Sequence, residues 1–358
     1  MVYKHFQLLV YASLFFIPTL LAQPKLVLVD STSIENPDSL PLSKISFRGV
    51  SVVNNEVVWV SGTKGTFAKS IDGGKTFRIA QIPGYDSSDF RDIEAFSKDK
   101  AIVMSSGTPG YILKTYDGGL TWKKVFEDHR KEFFLDAMDF WNEDQGMVIG
   151  DPIDERFVLY RTIDGGNTWH PMDTSMRPWA IEGESLFAAS GTCFRCMPNN
   201  SIAFVSGGSK SIFHWLQIDK KYQRFELKNM VQGKASQGAF SFDFDKKHII
   251  IVGGDYASDT SKIKQGFSGY YYSKDGLELM NQKPFYCNYR SSVELLANGN
   301  FITCGTKGVD YNNTEQTITT SNAKSQLSNL SFNVVRKAKK GKLVILAGSK
   351  GKIARLVE

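Results

Sequence analysis

Seven short apolar runs punctuate the chain, and each gives way to a small or polar residue. The first three are Val57–Val60 before Ser61-Gly62, Ile102–Met104 before Ser105-Ser106-Gly107, and Met147–Ile149 before Gly150. The later copies are Ile202–Val205, Ile249–Val252, Phe301–Thr303 and Leu343–Leu346. The runs are continuous rather than alternating, which fits strands covered on both faces. Upstream of each lies a second expected strand, beginning near Phe47, Phe90, Phe134, Phe187, Ala239, Tyr289 and Phe332. The seventh unit has room for only three strands before Glu358. The strand-like segment Lys25–Asp30 is expected to supply its fourth strand and remove an exposed edge.

A turn motif recurs in step with the first units: Ser70-Ile-Asp72-Gly-Gly74-Lys-Thr76-Phe77, Thr115-Tyr-Asp117-Gly-Gly119-Leu-Thr121-Trp122 and Thr162-Ile-Asp164-Gly-Gly166-Asn-Thr168-Trp169. A worn copy is Ser273-Lys-Asp275-Gly276. The Asp is expected to accept backbone N–H bonds across a tight turn, the Gly to supply positive φ, and the aromatic to pack as the next strand starts. A single carboxylate per turn offers too few oxygens for calcium. A spacing of about 45 residues matches a four-stranded propeller blade. The motif resembles the Asp-box, or BNR repeat, of sialidases and related β-propellers. The expected fold is therefore all-β: one seven-bladed propeller over residues 23–358, its box residues structural.

Composition narrows the class. Aromatic residues make up 13%, Gly numbers 31 and charged residues are only 22%, a turn-rich globular profile rather than a disordered one. The formal net charge of +6 is mild, Lys4 supplies one unit of it, and the densest basic run, Arg336–Lys340, ends in Gly341 as a hairpin would. Nucleic-acid binding is not expected. Residues 1–22 read as a signal peptide: Lys4 and His5, then apolar Phe6–Leu21, then Ala22 before Gln23-Pro24. That apolar stretch contains Pro18 and falls short of the ~20 residues a bilayer crossing needs. The expected product is exported, periplasmic or secreted, monomeric and without stable membrane insertion.

Cys193, Cys196, Cys287 and Cys304 permit disulfides without fixing their pairing. Cys193 and Cys196 sit on an expected strand, so a redox role is disfavoured, and no ligand set completes a zinc site. Nucleotide-binding and metalloprotease motifs are absent, and no cofactor is expected.

Alignment of the first strand of each unit places arginine at one repeat position in three of them: Ser46-Phe47-Arg48, Asp89-Phe90-Arg91 and Asn288-Tyr289-Arg290. Arginine suits bidentate capture of carboxylate or phosphate. With Asp151, Glu184 and Asp255 from loops on the same face, these arginines are the expected ligand- or partner-binding set. The bland alternative is pairing with Asp92, Asp136 and nearby carbonyls.

Beyond the boxes, Ser46-Phe-Arg-Gly, Asp89-Phe-Arg-Asp, Gly150-Asp-Pro, Phe187-Ala-Ala-Ser-Gly-Thr, Gly253-Gly-Asp-Tyr and the closing Leu346-Ala-Gly-Ser-Lys-Gly-Lys-Ile-Ala-Arg resemble exported bacterial relatives of the photosystem II stability/assembly factor family. That resemblance implies a non-enzymatic, chaperone-like module holding a protein client through a basic patch, with Arg48, Arg91 and Arg290 as candidates. The competing expectation is a sialidase-like glycoside hydrolase acting on acidic glycans. Asp151, Glu184, Tyr256 and Tyr289 would then supply acid, base and nucleophile. Arg48 departs from the sialidase pattern, because Gly49-Val50 follows it rather than Ile-Pro.

Overall fold

The computed structural model describes residues 24–259, 263–273, 276–320 and 326–357. The expected leader at 1–22 and Asp275 of the worn turn motif therefore lie outside the described residues. The chain is all-β, with six sheets among the described residues. The first sheet runs Phe47–Val52, Val58–Gly62, Thr66–Ser70, Phe77–Gln81, with Ile34–Glu35 added at its outer edge. The second runs Asp89–Ala95, Ala101–Ser106, Gly110–Thr115, Lys123–Asp128, and the third Leu135–Phe140, Gly146–Ile153, Arg156–Thr162, His170–Pro171. A large nine-stranded sheet joins two meanders, Phe194–Glu226 and Lys234–Cys287, with Glu184–Ser185 beside them. Among the described residues, strand pairing joins the meanders where Gly207 and Gly208 pair with Gly238 and Lys234. The penultimate sheet holds Ser292–Leu295, Asn300–Gly305, Gly308–Asn313 and Gln326–Ser328. In the last, Lys25–Leu28 pairs antiparallel with Ile353–Val357, outside Val344–Ala347 and Val334–Lys337. The expectation for this N-terminal strand matches the pairing found.

The apolar runs are the second strands. Val58, Trp59, Val60, Ile102, Val103, Ile149, Phe204, Ile250 and Ile302 are all sealed from solvent between adjacent sheets. Val334–Lys337 of the last sheet lies against Phe47–Val52 of the first.

The three turn motifs behave as their residues dictate. Asp72 Oδ1 accepts from the backbone N–H groups of Lys75 and Thr76 at 3.0 Å each, its Oδ2 accepts from the Thr76 hydroxyl at 2.7 Å, and Ser70 Oγ accepts from Gly74 N–H at 2.9 Å. Asp117 and Asp164 repeat the pattern with Thr121 and Thr168. Hydrogen bonds from Thr121 hold the Asp117 carboxyl down at about 2. The second glycine of each motif adopts positive φ and touches the sheet before it. A Cβ at Gly119 would come within 2.6 Å of Phe67, one at Gly166 within 2.5 Å of Ile102, and one at Gly74 within 2.8 Å of Ile345 in the last sheet. The motif aromatics complete these seams. Phe77 and Trp169 are buried, and Trp122 packs edge-on against Trp59 and Phe67 with centroids 6.3 and 5.3 Å away. Such pairs add about 0.5–1.5 kcal/mol each beyond area burial.

One expected strand start is displaced. In the Phe194–Glu226 meander the first strand begins at Phe194, not near Phe187. Residues 187–192 instead cross the core as irregular chain, with Ser190 Oγ donating to Ser291 O and Thr192 Oγ1 donating to Ser241 Oγ. Gly191, at φ +65°, lies against the Asp92 carboxylate where a Cβ would have no room. This path frees Phe187 to stack on Phe240.

Candidate functional site

Strand register fixes which end of the molecule each group occupies. Phe47 pairs with Gly62, and Thr66 with Gln81, at one end of the first sheet. Val52 pairs with Val58, and Val58 with Ser70, at the other, which carries the Asp turns. Arg48 and its counterparts therefore sit at the end opposite the Asp turns, called the mouth below.

A shared backbone device aims their side chains. The register of the first strand slips by one residue between Phe47 and Gly49, Phe90 and Asp92, Leu135 and Ala137, and Ala239 and Ser241. The extra residues at these bulges are Arg48, Arg91, Asp136 and Phe240. A bulge leaves one residue outside the ladder and re-aims its side chain, which is why bulges gather beside binding sites.

The bulged groups differ in how they are satisfied. Arg91 is half-buried; its Nε donates to Asp89 Oδ2 at 2.7 Å and one terminal nitrogen to Ala188 O at 3.0 Å. Arg48 is less well provided for, since its Nε is buried without a hydrogen-bond partner. Burial lowers its pKa, and the like charge of Arg91 beside it lowers it further, against the pull of Asp89 and Tyr289. Asp136 is sealed from solvent with both oxygens unbonded; the amides of Asp151 and Ala188 approach without reaching good geometry. Burial holds its carboxyl well above the usual range, Asp151 pushes the same way, and Arg91 opposes them. Asp89 Oδ1 and Asn288 Oδ1 are also buried and unpaired. Natural interiors leave few such atoms; those of Arg48, Asp89, Asp136 and Asn288 lie at the mouth, while others, such as Trp122 Nε1, Trp169 Nε1 and Glu294 Oε2, lie elsewhere in the fold.

Several expected site residues have other duties. Arg290 is buried, its Nε on Asp310 Oδ2 at 2.7 Å and a terminal nitrogen on Tyr289 O at 3.0 Å. Strand pairing in that unit starts only at Ser292, so no bulge turns Arg290 toward the mouth. The expected three-arginine cluster is thus two arginines, and neither Asp92 nor Asp136 is the ion-pair partner of any of the three. Glu184 is sealed: Oε1 accepts from Ser206 Oγ and lies 2.7 Å from His214 Nε2, while Oε2 accepts from Ile181 N–H at 2.9 Å. It fastens its loop and presents no carboxylate for catalysis or binding. Asp255 caps its own turn, accepting from Ala257 N–H at 2.9 Å and from Gln237 at 2.9 Å. Asp151 accepts from Leu186 N–H at 2.8 Å, and burial raises its pKa. Tyr289 is buried edge-on against Phe240, which pushes its hydroxyl pKa up and leaves it a poor nucleophile. Tyr256 is exposed. All four cysteines are unpaired thiols, and burial raises the pKa of each. Among the described residues, no group of three or more His, Cys, Asp or Glu side chains is placed to hold a metal ion.

Below the mouth the axis is filled by charge. Arg195 lies 3.8 Å from Asp243 and 4.0 Å from Glu294; Lys337 lies 3.1 Å from Asp243 and 3.5 Å from Glu294; Arg336 lies 3.9 Å from Glu294. Lys339 reaches past the first sheet to Glu94 in the second. Partners from non-adjacent sheets meet only across the middle, so these side chains close the centre from the Asp-turn end. A separate groove of about 990 Å³ opens on the Asp-turn face, lined in part by Asn55, Asp72, Lys75, Leu296, Lys342 and Arg355. Its lining is of mixed charge, with Asp72 beside Lys75, Lys342 and Arg355.

Asp92 adds a pH signature. Burial raises its carboxyl to about 7, against hydrogen bonds from Met138 and Ile93 and the charge of Arg336. Its folded pKa lies above its unfolded one. Its contribution is therefore full below about pH 4, is lost as pH rises to about 7, and is constant above that. About three units correspond to roughly 4 kcal/mol. In denaturant titrations from pH 4 to 8, wild type should lose stability relative to Asp92→Asn across this window, whatever the absolute cost of the substitution. Parallel curves would refute the assignment.

These features define a β-propeller with an arginine-bearing mouth. No protein-family model and no curated protein sequence matches the chain. Among solved structures it is similar to YCF48 bound to D1 peptide, at TM-score 0.60 and 11% identity over 94% of this chain and 97% of that one. It is also similar to YCF48 from Cyanidioschyzon merolae, at TM-score 0.62 and 12% identity over 92% and 98%. The Neurospora crassa Pan2 WD40 domain follows at TM-score 0.59 and 12% identity over 87% and 88%. At such identities the likeness establishes the propeller fold and nothing finer.

Proposed function

We propose that this chain is an exported, non-enzymatic binding or assembly propeller that captures carboxylate groups of protein clients through Arg48 and Arg91. The reading takes the fold as seven-bladed, the nine-stranded sheet being two blades bridged at Gly207–Gly238. Successive first strands touch in order from Phe47–Val52 round to Val334–Lys337, which lies against the first again, and Lys25–Leu28 completes the last blade. The box-like turns, the leader at 1–22 and the solved propeller that carries a bound peptide agree with it.

A single observation carries the binding role: Arg48 is desolvated beside a second guanidinium, with a buried Nε that has no acceptor. Placing two like charges together and drying one of them is costly unless an anion joins them. A fluorescein-labelled pool of Asp- and Glu-containing decapeptides should bind in fluorescence anisotropy. Arg48→Gln with Arg91→Gln should weaken it by about 10–100-fold, the worth of one or two charged hydrogen bonds. Unchanged binding in the folded double variant would reject the proposal.

A further inference from the structure

Beside the arginines stands an aromatic platform that the carboxylate reading leaves unused. Phe187 stacks on Phe240 with centroids 3.7 Å apart and planes 8° from parallel. Tyr256 stands nearly perpendicular to both, at 6.3 and 6.2 Å, with 53% of its surface exposed. Tyr289 meets Phe240 edge-on at 4.9 Å and lies within reach of the Arg48 charge. Phe187 rests on a glycine floor: a Cβ at Gly207 or Gly238 would come 2.4 or 3.0 Å from its ring. The platform is held in place from beneath while Tyr256 presents a free ring at the rim.

We infer that the mouth takes the free C-terminus of a peptide, with the terminal carboxylate on Arg48 and Arg91 and an aromatic or branched apolar last side chain against Tyr256 and Phe187. This rests on the proposed carboxylate-binding reading and narrows it. Two observations select a chain end. The axis below is occupied by the Arg195, Asp243, Glu294 and Lys337 network, so a peptide cannot thread through and must stop at the mouth. Arginine and aromatic subsites adjoin, and a C-terminal residue carries its carboxylate and side chain on the same Cα. Ring contact and apolar burial supply side-chain selectivity, while the paired guanidiniums supply charge recognition.

The test uses fluorescein-labelled random decapeptide pools ending in Phe or Ser, each as free acid and as carboxamide, against the full mature chain. The Phe acid pool should bind at least about tenfold more tightly than its carboxamide and several-fold more tightly than the Ser acid pool. Tyr256→Ala, a change at an exposed ring, should bring the Phe/Ser ratio close to one and leave the acid/carboxamide ratio intact; Arg48→Gln should do the reverse. Equal binding of acid and carboxamide pools that still requires Arg48 would overturn the inference and leave the carboxylate reading standing. Binding indifferent to Arg48 in every pool would overturn both. A preserved Phe/Ser ratio in Tyr256→Ala, or no such ratio in wild type, would remove the aromatic subsite.

Discussion

Asp243→Asn is expected to destabilise the protein by about 3–5 kcal/mol, whereas Glu294→Gln, a few ångströms away, costs about 1 kcal/mol. Both carboxylates are buried on the axis among the same cations, so the contrast lies in which one carries the charge. Burial raises both pKa values, but Lys337 and Arg195 bring Asp243 below its ordinary value. Glu294 stays above its own, because burial and the neighbouring Asp243 charge outweigh Lys337, Arg336 and Arg195. Asp243 Oδ2 also accepts from Leu295 N–H at 2.8 Å and from Lys337 at 3.1 Å, while Glu294 Oε2 has no hydrogen bond. Neutralising Asp243 strands Arg195 and Lys337 in a dry interior. Neutralising Glu294 removes a group that ionises reluctantly. Guanidinium unfolding of the two variants at pH 7 gives the comparison directly, and equal losses would show that the charge is assigned to the wrong carboxylate. If the network collapses in Asp243→Asn, the floor of the mouth opens as well.

Much of the architecture could be read from the chain because propeller units are local. Strand, turn and strand recur within about 45 residues, so Asp72, Asp117 and Asp164 announce their turns without help from distant parts. Likewise, the strand character of Lys25–Asp30 pointed to the last sheet, where Lys25–Leu28 pairs with Ile353–Val357. The site was harder to read. Counting from an aromatic residue aligned Arg48, Arg91 and Arg290, but the ladder does not count that way. In the third sheet Leu135 stands between Phe134 and the bulged Asp136, and in the sheet of Ser292–Leu295 pairing starts two residues after Arg290. Asp136 and Phe240 share the bulge position with Arg48 and Arg91; Phe240 follows Ala239 as Arg48 follows Phe47, and an alignment allowing one extra residue would have found Asp136 as well. Glu184 illustrates the opposite error. Its acid lies in a loop beside the mouth, yet its fate is decided by His214, thirty residues on, whose ring pulls it into the core. Long-range pairing of that kind leaves no mark in local sequence.

Removing residues 24–40 is expected to have the second large effect, because this segment ties the two ends of the chain together. Lys25–Leu28 pairs with Val357–Ala354, and Val29 N–H donates to Ile353 O at 2.9 Å. The same segment then crosses to the first sheet, where Ile34–Glu35 pairs in parallel with Phe77–Arg78 and Asp38 Oδ2 accepts from Gln81 N–H at 2.9 Å. Val29, Ile34 and Leu40 cover the core shared by Phe47, Val60, Val334 and Ile345. Each backbone bond contributes about 1 kcal/mol, and covering those side chains contributes several more. The sum is comparable with the whole stability of a domain, about 5–15 kcal/mol. Deletion also bares the edges of Ile353–Val357 and Phe77–Gln81, and unpaired edges recruit other strands. The truncated chain should therefore unfold at much lower denaturant and self-associate on size exclusion. A synthetic peptide of residues 24–40 added in trans should restore the monomer and part of the stability. Two exposed strand residues with a modest packing role would give a truncated chain of unchanged midpoint and unchanged elution. A shared clasp across the first and last sheets gives loss, association and rescue together.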